Sequence, residues 1–149
     1  MTGTNTDMPF VLDASIAACW AFGDEDHPTA TAALERIRID EAIAPALWWF
    51  EVRNTLLAGE RRSRLTEADT GAFLRELARI GVLIDRTPDE TVVLSLARQH
   101  RLTVYDASYL ELAQRAALPL ATLDRDMLRA ANSLNIPLIG ALTTAAPTG

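Results

Sequence analysis

Phe10-Val11-Leu12-Asp13-Ala14-Ser15 opens with an apolar run too short for a helix and closes on a carboxylate. Such a run fits a strand buried on both faces, the kind that belongs to a parallel sheet. Working outward, Ala14 to Phe22 is apolar and predicts a helix, and Gly23-Asp24-Glu25-Asp26 an acidic loop. Pro28 suits the first turn of a second helix reaching about Asp40. Ile43-Ala44-Pro45 reads as the next strand, ended by its proline. Ala46 to Glu60 carries apolar residues at helical spacing, with Leu47, Phe50, Asn54 and Leu57 sharing one face.

The alternation continues. Thr66 with Asp69 resembles a capping box and opens a helix to about Ile80. Val82-Leu83-Ile84 is a third strand. Thr87, Pro88 and Glu90 supply a cap, a first-turn proline and a capping-box acid for a helix to about His100. Leu102 to Tyr105 reads as a strand ending at Asp106, followed by a helix over Ala107 to Ala116. Leu120-Ala121-Thr122 is another strand, with Asp124 two residues past it. A last helix reaches Asn135, and Leu138-Ile139 is placed at the sheet edge. Strands alternating with helices predict a three-layer α/β/α sandwich around a mostly parallel sheet. The expected division is a loose segment over 1–9, one domain over 10–140 and a loose tail over 141–149.

Composition narrows the chemistry. The chain has 149 residues, enough for one core, and nearly half are hydrophobic. All fourteen basic residues are arginine; a GC-rich genome accounts for this and for the abundant alanine. The absence of lysine excludes Schiff-base chemistry, a P-loop lysine and a receiver-domain lysine. Two histidines, His27 and His100, leave little material for triads or zinc clusters. The scattered glycines form no dinucleotide-binding loop. The single Cys19 forms no internal bridge, no apolar run approaches a membrane span, and the polar N-terminus does not read as a signal peptide. A cytoplasmic protein without membrane attachment is expected.

Carboxylate is what remains plentiful. A net charge of -6 argues against a nucleic-acid partner unless bound cations invert the local field. Asp13, Asp106 and Asp124 each follow a predicted strand, where ligands bind in parallel sheets. Any one of them serves equally well as a helix cap. Three converging on one edge repel one another unless a cation sits among them, and oxygen ligands select Mg²⁺ or Mn²⁺. Glu51, in Leu47-Trp48-Trp49-Phe50-Glu51-Val52, either faces solvent or turns toward that site. Arg53, Arg61, Arg62 and Arg64 suit either a phosphate clamp or a solvated helix end. Trp48 and Trp49 suit core or interface packing better than base stacking.

Four ordered motifs together resemble the PIN-domain ribonucleases. They are Phe10 to Ser15, Pro45 to Asn54, Thr103 to Ala113 and Leu120 to Asp126, within a match from about Phe10 to Ile139. Within that superfamily the chain looks most like the VapC toxins of type II toxin–antitoxin pairs. The resemblance implies a metal-dependent endoribonuclease with Asp13, Glu51, Asp106 and Asp124 as its metal-binding quartet. It implies Asp126 as an outer acid, although a first-turn residue favoured by the helix dipole fits there too. Ser15 and Thr122 would hydrogen-bond to the acids or to the attacking water, or be ordinary turn and strand residues. The implied cofactor is Mg²⁺, with Mn²⁺ as the alternative. The implied partners are RNA, an antitoxin whose C-terminal segment covers the acidic groove, and a second copy in a homodimer, a heterotetramer or a larger complex. A housekeeping nuclease of the same fold and an inert protein-binding module are the competing readings.

Overall fold

The computed structural model describes residues 8–23 and 27–140. The acidic stretch 24–26, the segment 1–7 and the tail from 141 lie outside the described residues. Four strands, β1 (Phe10–Leu12), β2 (Ala42–Pro45), β3 (Leu83–Asp85) and β4 (Leu120–Ala121), form one sheet in the order β3-β2-β1-β4. Every pairing is parallel. Leu138 extends the edge beyond β4 by a single parallel bridge to Leu120 rather than by a strand.

The helices are α1 (Ala14–Ala21), α2 (Pro28–Ile37), α3 (Leu47–Arg61), α4 (Glu67–Ile80), α5 (Glu90–His100), α6 (Val104–Ala116) and α7 (Arg125–Ser133). From β1 the chain moves outward to β2 and β3, then returns across the sheet to β4. Right-handed crossovers therefore put α1 to α4 on one face and α5 to α7 on the other, the predicted three layers. Phe10, Val11 and Leu12 have no exposed surface, as a central strand between two helical layers requires. The direction of travel reverses between β1 and β4, and a crevice opens there at the carboxyl ends of the strands.

Local signals explain most of the boundaries. Thr66 Oγ1 accepts from the Asp69 amide at 3.0 Å, and Asp69 accepts from the Thr66 amide at 2.9 Å. The capping box is complete with Asp in place of the usual Glu. Helix α3 buries Trp48, Val52, Leu56 and Gly59, a stripe at intervals of three and four. Of the face carrying Leu47, Phe50, Asn54 and Leu57, the last three are exposed and look outward, while Leu47 is half-buried against the core.

Three expectations need correction. Leu102 to Tyr105 is not a strand. Arg101 ends α5 in the left-handed conformation, and Thr103 caps α6 by accepting from the Asp106 amide at 3.0 Å. Three residues between helices leave no room for a strand, and Val104 and Tyr105 are solvent-exposed instead of core. Asp106 thus sits in the first turn of a helix, not at a strand end. The α5 cap is Asp89, which accepts from the Val92 amide, while Thr87 donates to Asp85. Helix α2 stops at Ile37, three residues early, with Asp40 ion-paired back to Arg36 at 2.6 Å.

Candidate active site

Asp13 ends β1, Glu51 stands on the second turn of α3, Asp106 on the first turn of α6, and Asp124 caps α7. These four carboxylates line one cavity of about 320 Å³, together with Ser15, Asn54, Thr55 and Met127. Glu51 faces this cavity, so the solvent-facing alternative for it is wrong.

Asp13 is the best fixed of the four. Its carboxylate is 4 % exposed and receives Ser15 Oγ at 2.6 Å and Thr122 Oγ1 at 2.7 Å, both on Oδ2. The hydroxyls are themselves oriented from behind. Ser15 Oγ accepts from the Leu123 amide, and Thr122 Oγ1 accepts from the Asp124 amide, each at 3.0 Å. With their acceptor sides occupied by backbone, both hydroxyls turn their protons to Asp13. Ser15 and Thr122 therefore tie the ends of β1 and β4 to one carboxylate. The turn-or-strand alternative for these two residues does not describe what their side chains do.

Glu51 Oε1 accepts from Tyr109 Oη at 2.6 Å, and Tyr109 is fully buried on α6. Asp124 accepts from the Met127 amide at 2.9 Å, so it is a helix cap and a cavity wall at once.

The electrostatics follow from crowding. Burial holds the carboxyl of Asp13 above its usual range, against the lowering effect of the two hydroxyls, and Asp124 adds repulsion. Burial also raises Glu51, opposed by Tyr109 and assisted by Asp13 and Asp106. Asp106 is pushed up to about 6 by desolvation, then by the charges of Asp124, Asp13 and Asp126. Among the described residues none of the four is ion-paired; Arg36, Arg79, Arg115 and Arg129 bind Asp40, Glu76, Asp85, Glu111 and Asp126 instead. Asp13, Glu51, Asp106 and Asp124 are the residues whose oxygens could take part in holding a hard metal ion, although among the described residues no group of three or more Asp, Glu, His or Cys side chains is arranged to hold one.

The remaining sequence candidates separate. Asp126 is exposed, pairs with Arg129 at 2.8 Å and does not line the cavity; it acts there only through its field on Asp106. Arg53 lies 3.9 Å over the Trp49 ring and donates to the Trp49 carbonyl, on the outward face of α3. Arg61 is exposed and lines neither the acidic cavity nor its neighbour. Arg62 lines the neighbouring cavity. Trp48 is core and Trp49 is half-exposed, packed edge-on against Phe50 at 5.0 Å. Tyr109 escaped the sequence reading, although its place three residues after Asp106 puts both on one helix face.

The PIN-domain family model matches residues 10–133, nearly all of the described domain. The chain is 32 % identical over 123 residues to Ribonuclease VapC3 of Pyrobaculum aerophilum, covering 80 % of this chain and 92 % of that one. It shares its fold with the crystal structure of PAE2754, also from Pyrobaculum aerophilum. The TM-score is 0.64 at 24 % identity, over 83 % of this chain and 86 % of the other. Four acids brought to the β1/β4 crevice of an all-parallel sheet, and a family match spanning that whole unit, lead to one placement: the chain belongs to the PIN-domain family.

Proposed function

We propose that this protein is a Mg²⁺-dependent endoribonuclease, with Mn²⁺ as an alternative ion, acting as the toxin of a toxin–antitoxin pair. The observation that carries the reading is the cavity of four carboxylates, three of them held above their usual pKa range with no arginine among them. The relative named as a ribonuclease supports the choice of RNA.

The donor set is all oxygen, which suits Mg²⁺. Among the described residues no group of three or more Asp, Glu, His or Cys side chains is arranged to hold a metal ion; Mg²⁺, which usually keeps several waters and takes one or two carboxylates, asks for fewer protein ligands than that. Asp13 and Asp106 would hold it directly, with Glu51 and Asp124 binding directly or through water. The ion would supply a water of lowered pKa and charge stabilisation at the scissile phosphate. The chain's own part is orientation. Ser15 and Thr122 fix the Asp13 carboxylate, Tyr109 fixes Glu51, and the Met127 amide fixes Asp124.

Tyr109→Phe tests this orienting role. Loss of the hydroxyl removes a hydrogen bond to the ionised form of Glu51 and raises its pKa further. The expected result is a fold left intact and a Mg²⁺ requirement for half-maximal cleavage raised by about 10-fold, within the range for groups that orient metal ligands. An unchanged Mg²⁺ titration would remove Tyr109 from the site.

A groove beside the acids fits the antitoxin. Leu47, Phe50, Glu51, Arg53, Asn54, Leu57 and Tyr105 line a depression of about 630 Å³. Phe50 and Tyr105 are more than 60 % exposed there, which is unusual for aromatic side chains on a small domain. An amphipathic antitoxin segment laid into this groove would cover its apolar wall and carry a basic side chain to the carboxylates.

The experiment is expression of the chain with and without the product of the neighbouring short reading frame. Growth arrest, lost in Asp13→Asn and relieved by that product, together with Mg²⁺-dependent cleavage of RNA by the purified chain, is the expected outcome. Equal arrest by Asp13→Asn, or no cleavage in Mg²⁺ or Mn²⁺, overturns the reading.

A further inference from the structure

Helix α3 brings a second polar side chain to the acidic cavity. Asn54 stands three residues after Glu51, on a neighbouring part of the helix surface and about 4.5 Å further along the axis. It lines the acidic cavity, an adjoining cavity of about 300 Å³ and the apolar groove of about 630 Å³. The three depressions meet at this residue. Asn54 is exposed, and among the described residues its carboxamide has no hydrogen-bond partner.

The other polar groups of the acidic cavity are committed. Four of them are the carboxylates. Ser15 Oγ donates to Asp13 and accepts from the Leu123 amide, and Thr55 Oγ1 donates to the Glu51 carbonyl at 3.0 Å. Each of these hydroxyls has one proton, and in both cases it points into the protein. Of the side chains lining this cavity, Asn54 is therefore the one that keeps both donors and an acceptor for a ligand. Its neutrality suits the place. An arginine here would pair with Glu51, whereas a carboxamide leaves that carboxylate open.

We propose that Asn54 reads the 2′-hydroxyl of a ribose beside the scissile phosphate, and so favours RNA over DNA. The inference rests on the ribonuclease reading above and extends it to how the sugar is recognised. In hydrolysis the attacking oxygen comes from water, so the 2′-hydroxyl is not the nucleophile. Carboxylates and a hydrated ion have no means of telling a ribose phosphodiester from a deoxyribose one. Preference for RNA needs a separate contact to the 2′-hydroxyl, which is donor and acceptor at once. A carboxamide matches it in both senses. Position selects the sugar as well: the riboses flanking a phosphodiester are bonded directly to its oxygens, and Asn54 is one helical turn from Glu51.

The test uses the full chain in saturating Mg²⁺ and a mixed-sequence single-stranded RNA, first to locate a cleaved bond. Oligonucleotides centred on that bond then carry one 2′-deoxy substitution, on its 5′ or its 3′ side. For the parent, one of the two substitutions is expected to lower kcat/KM about 10-fold, the size of one hydrogen bond. Asn54→Ala should cleave the all-ribose oligonucleotide about 10-fold more slowly than the parent and lose nothing further on the deoxy one. Its melting temperature and its Mg²⁺ requirement should match the parent's, because Asn54 is exposed and is not a metal ligand. A parent indifferent to both deoxy substitutions overturns the assignment. So does an Asn54→Ala protein that keeps the parent's sensitivity to deoxyribose, which places any contact elsewhere on the nucleotide. A raised Mg²⁺ requirement in Asn54→Ala overturns it too, by making the residue a support of the metal site. Each of these results leaves the ribonuclease reading standing; a parent that cleaves no RNA in Mg²⁺ or Mn²⁺ sinks both.

Discussion

Asp106→Asn in the metal-free protein is expected to melt about 3–6 °C above the parent, and in Mg²⁺ to cleave RNA more than about 100-fold more slowly. Both effects have one cause. At neutral pH Asp106 is ionised in a pocket where burial and three neighbouring carboxylates oppose its charge, which is why its pKa stands at about 6. A displacement of about two units corresponds to roughly 3 kcal/mol. Asp106 is only half-buried, so solvent screening reduces the usable part to about 1–2 kcal/mol, which sets the melting shift for a chain of this size. The activity loss should exceed the 10–100-fold typical of residues that merely orient a metal ligand. An Asp106→Asn protein that melts with the parent and cleaves normally sinks the assignment.

The sign with pH follows from the same shift. Asp106 takes up its proton more readily when folded than when unfolded, so the folded state binds more protons between about pH 4 and 6. The penalty is complete above the folded value and relieved as pH falls through it. Metal-free parent should therefore gain stability from pH 7.5 toward pH 5.5, and the gain should shrink in Asp106→Asn. Added Mg²⁺ should raise the melting temperature of the parent at pH 7.5 and not that of the variant, because only a folded site that binds the ion is stabilised by it.

How far the sequence carried depended on whether local chemistry and tertiary context agreed. Phe10 to Asp13 and Leu120 to Asp124 were legible because a buried parallel strand leaves no polar choice until its end. Asp106 was placed in the right cavity for a partly wrong reason. Leu102-Thr103-Val104-Tyr105 has strand-like composition, yet the Thr103 cap and the left-handed Arg101 commit the chain to a helix. The orientation of Glu51 was unreadable from α3 alone, since its partner Tyr109 lies 58 residues away. Arg62 carried a legible charge but no address. The cavity it lines exists because Gly59 admits Phe22, a contact between two helices that no local pattern announces.

Arg115→Met is expected to be strongly destabilising although it lies outside the site, lowering the melting temperature by about 6–12 °C. Glu111 is 2 % exposed in the middle of α6, and its carboxylate takes the Arg115 Nε at 2.6 Å and Nη2 at 3.1 Å. The same guanidinium grips Asp85, the last residue of β3, at 2.7 and 3.2 Å. One side chain therefore neutralises a buried acid and ties the outer strand to the helix that carries Asp106 and Tyr109. Removing one partner of a buried pair costs about 3–5 kcal/mol because the other charge is stranded. Arg115 is about one-third exposed, so water reaches part of the network and about 2–4 kcal/mol is the reasonable range. One further measurement separates stranded charge from lost packing: Glu111→Gln combined with Arg115→Met should melt above Arg115→Met alone. If the double variant is as unstable as the sum of the singles, the network contributes through packing, and the charge argument for Glu111 fails.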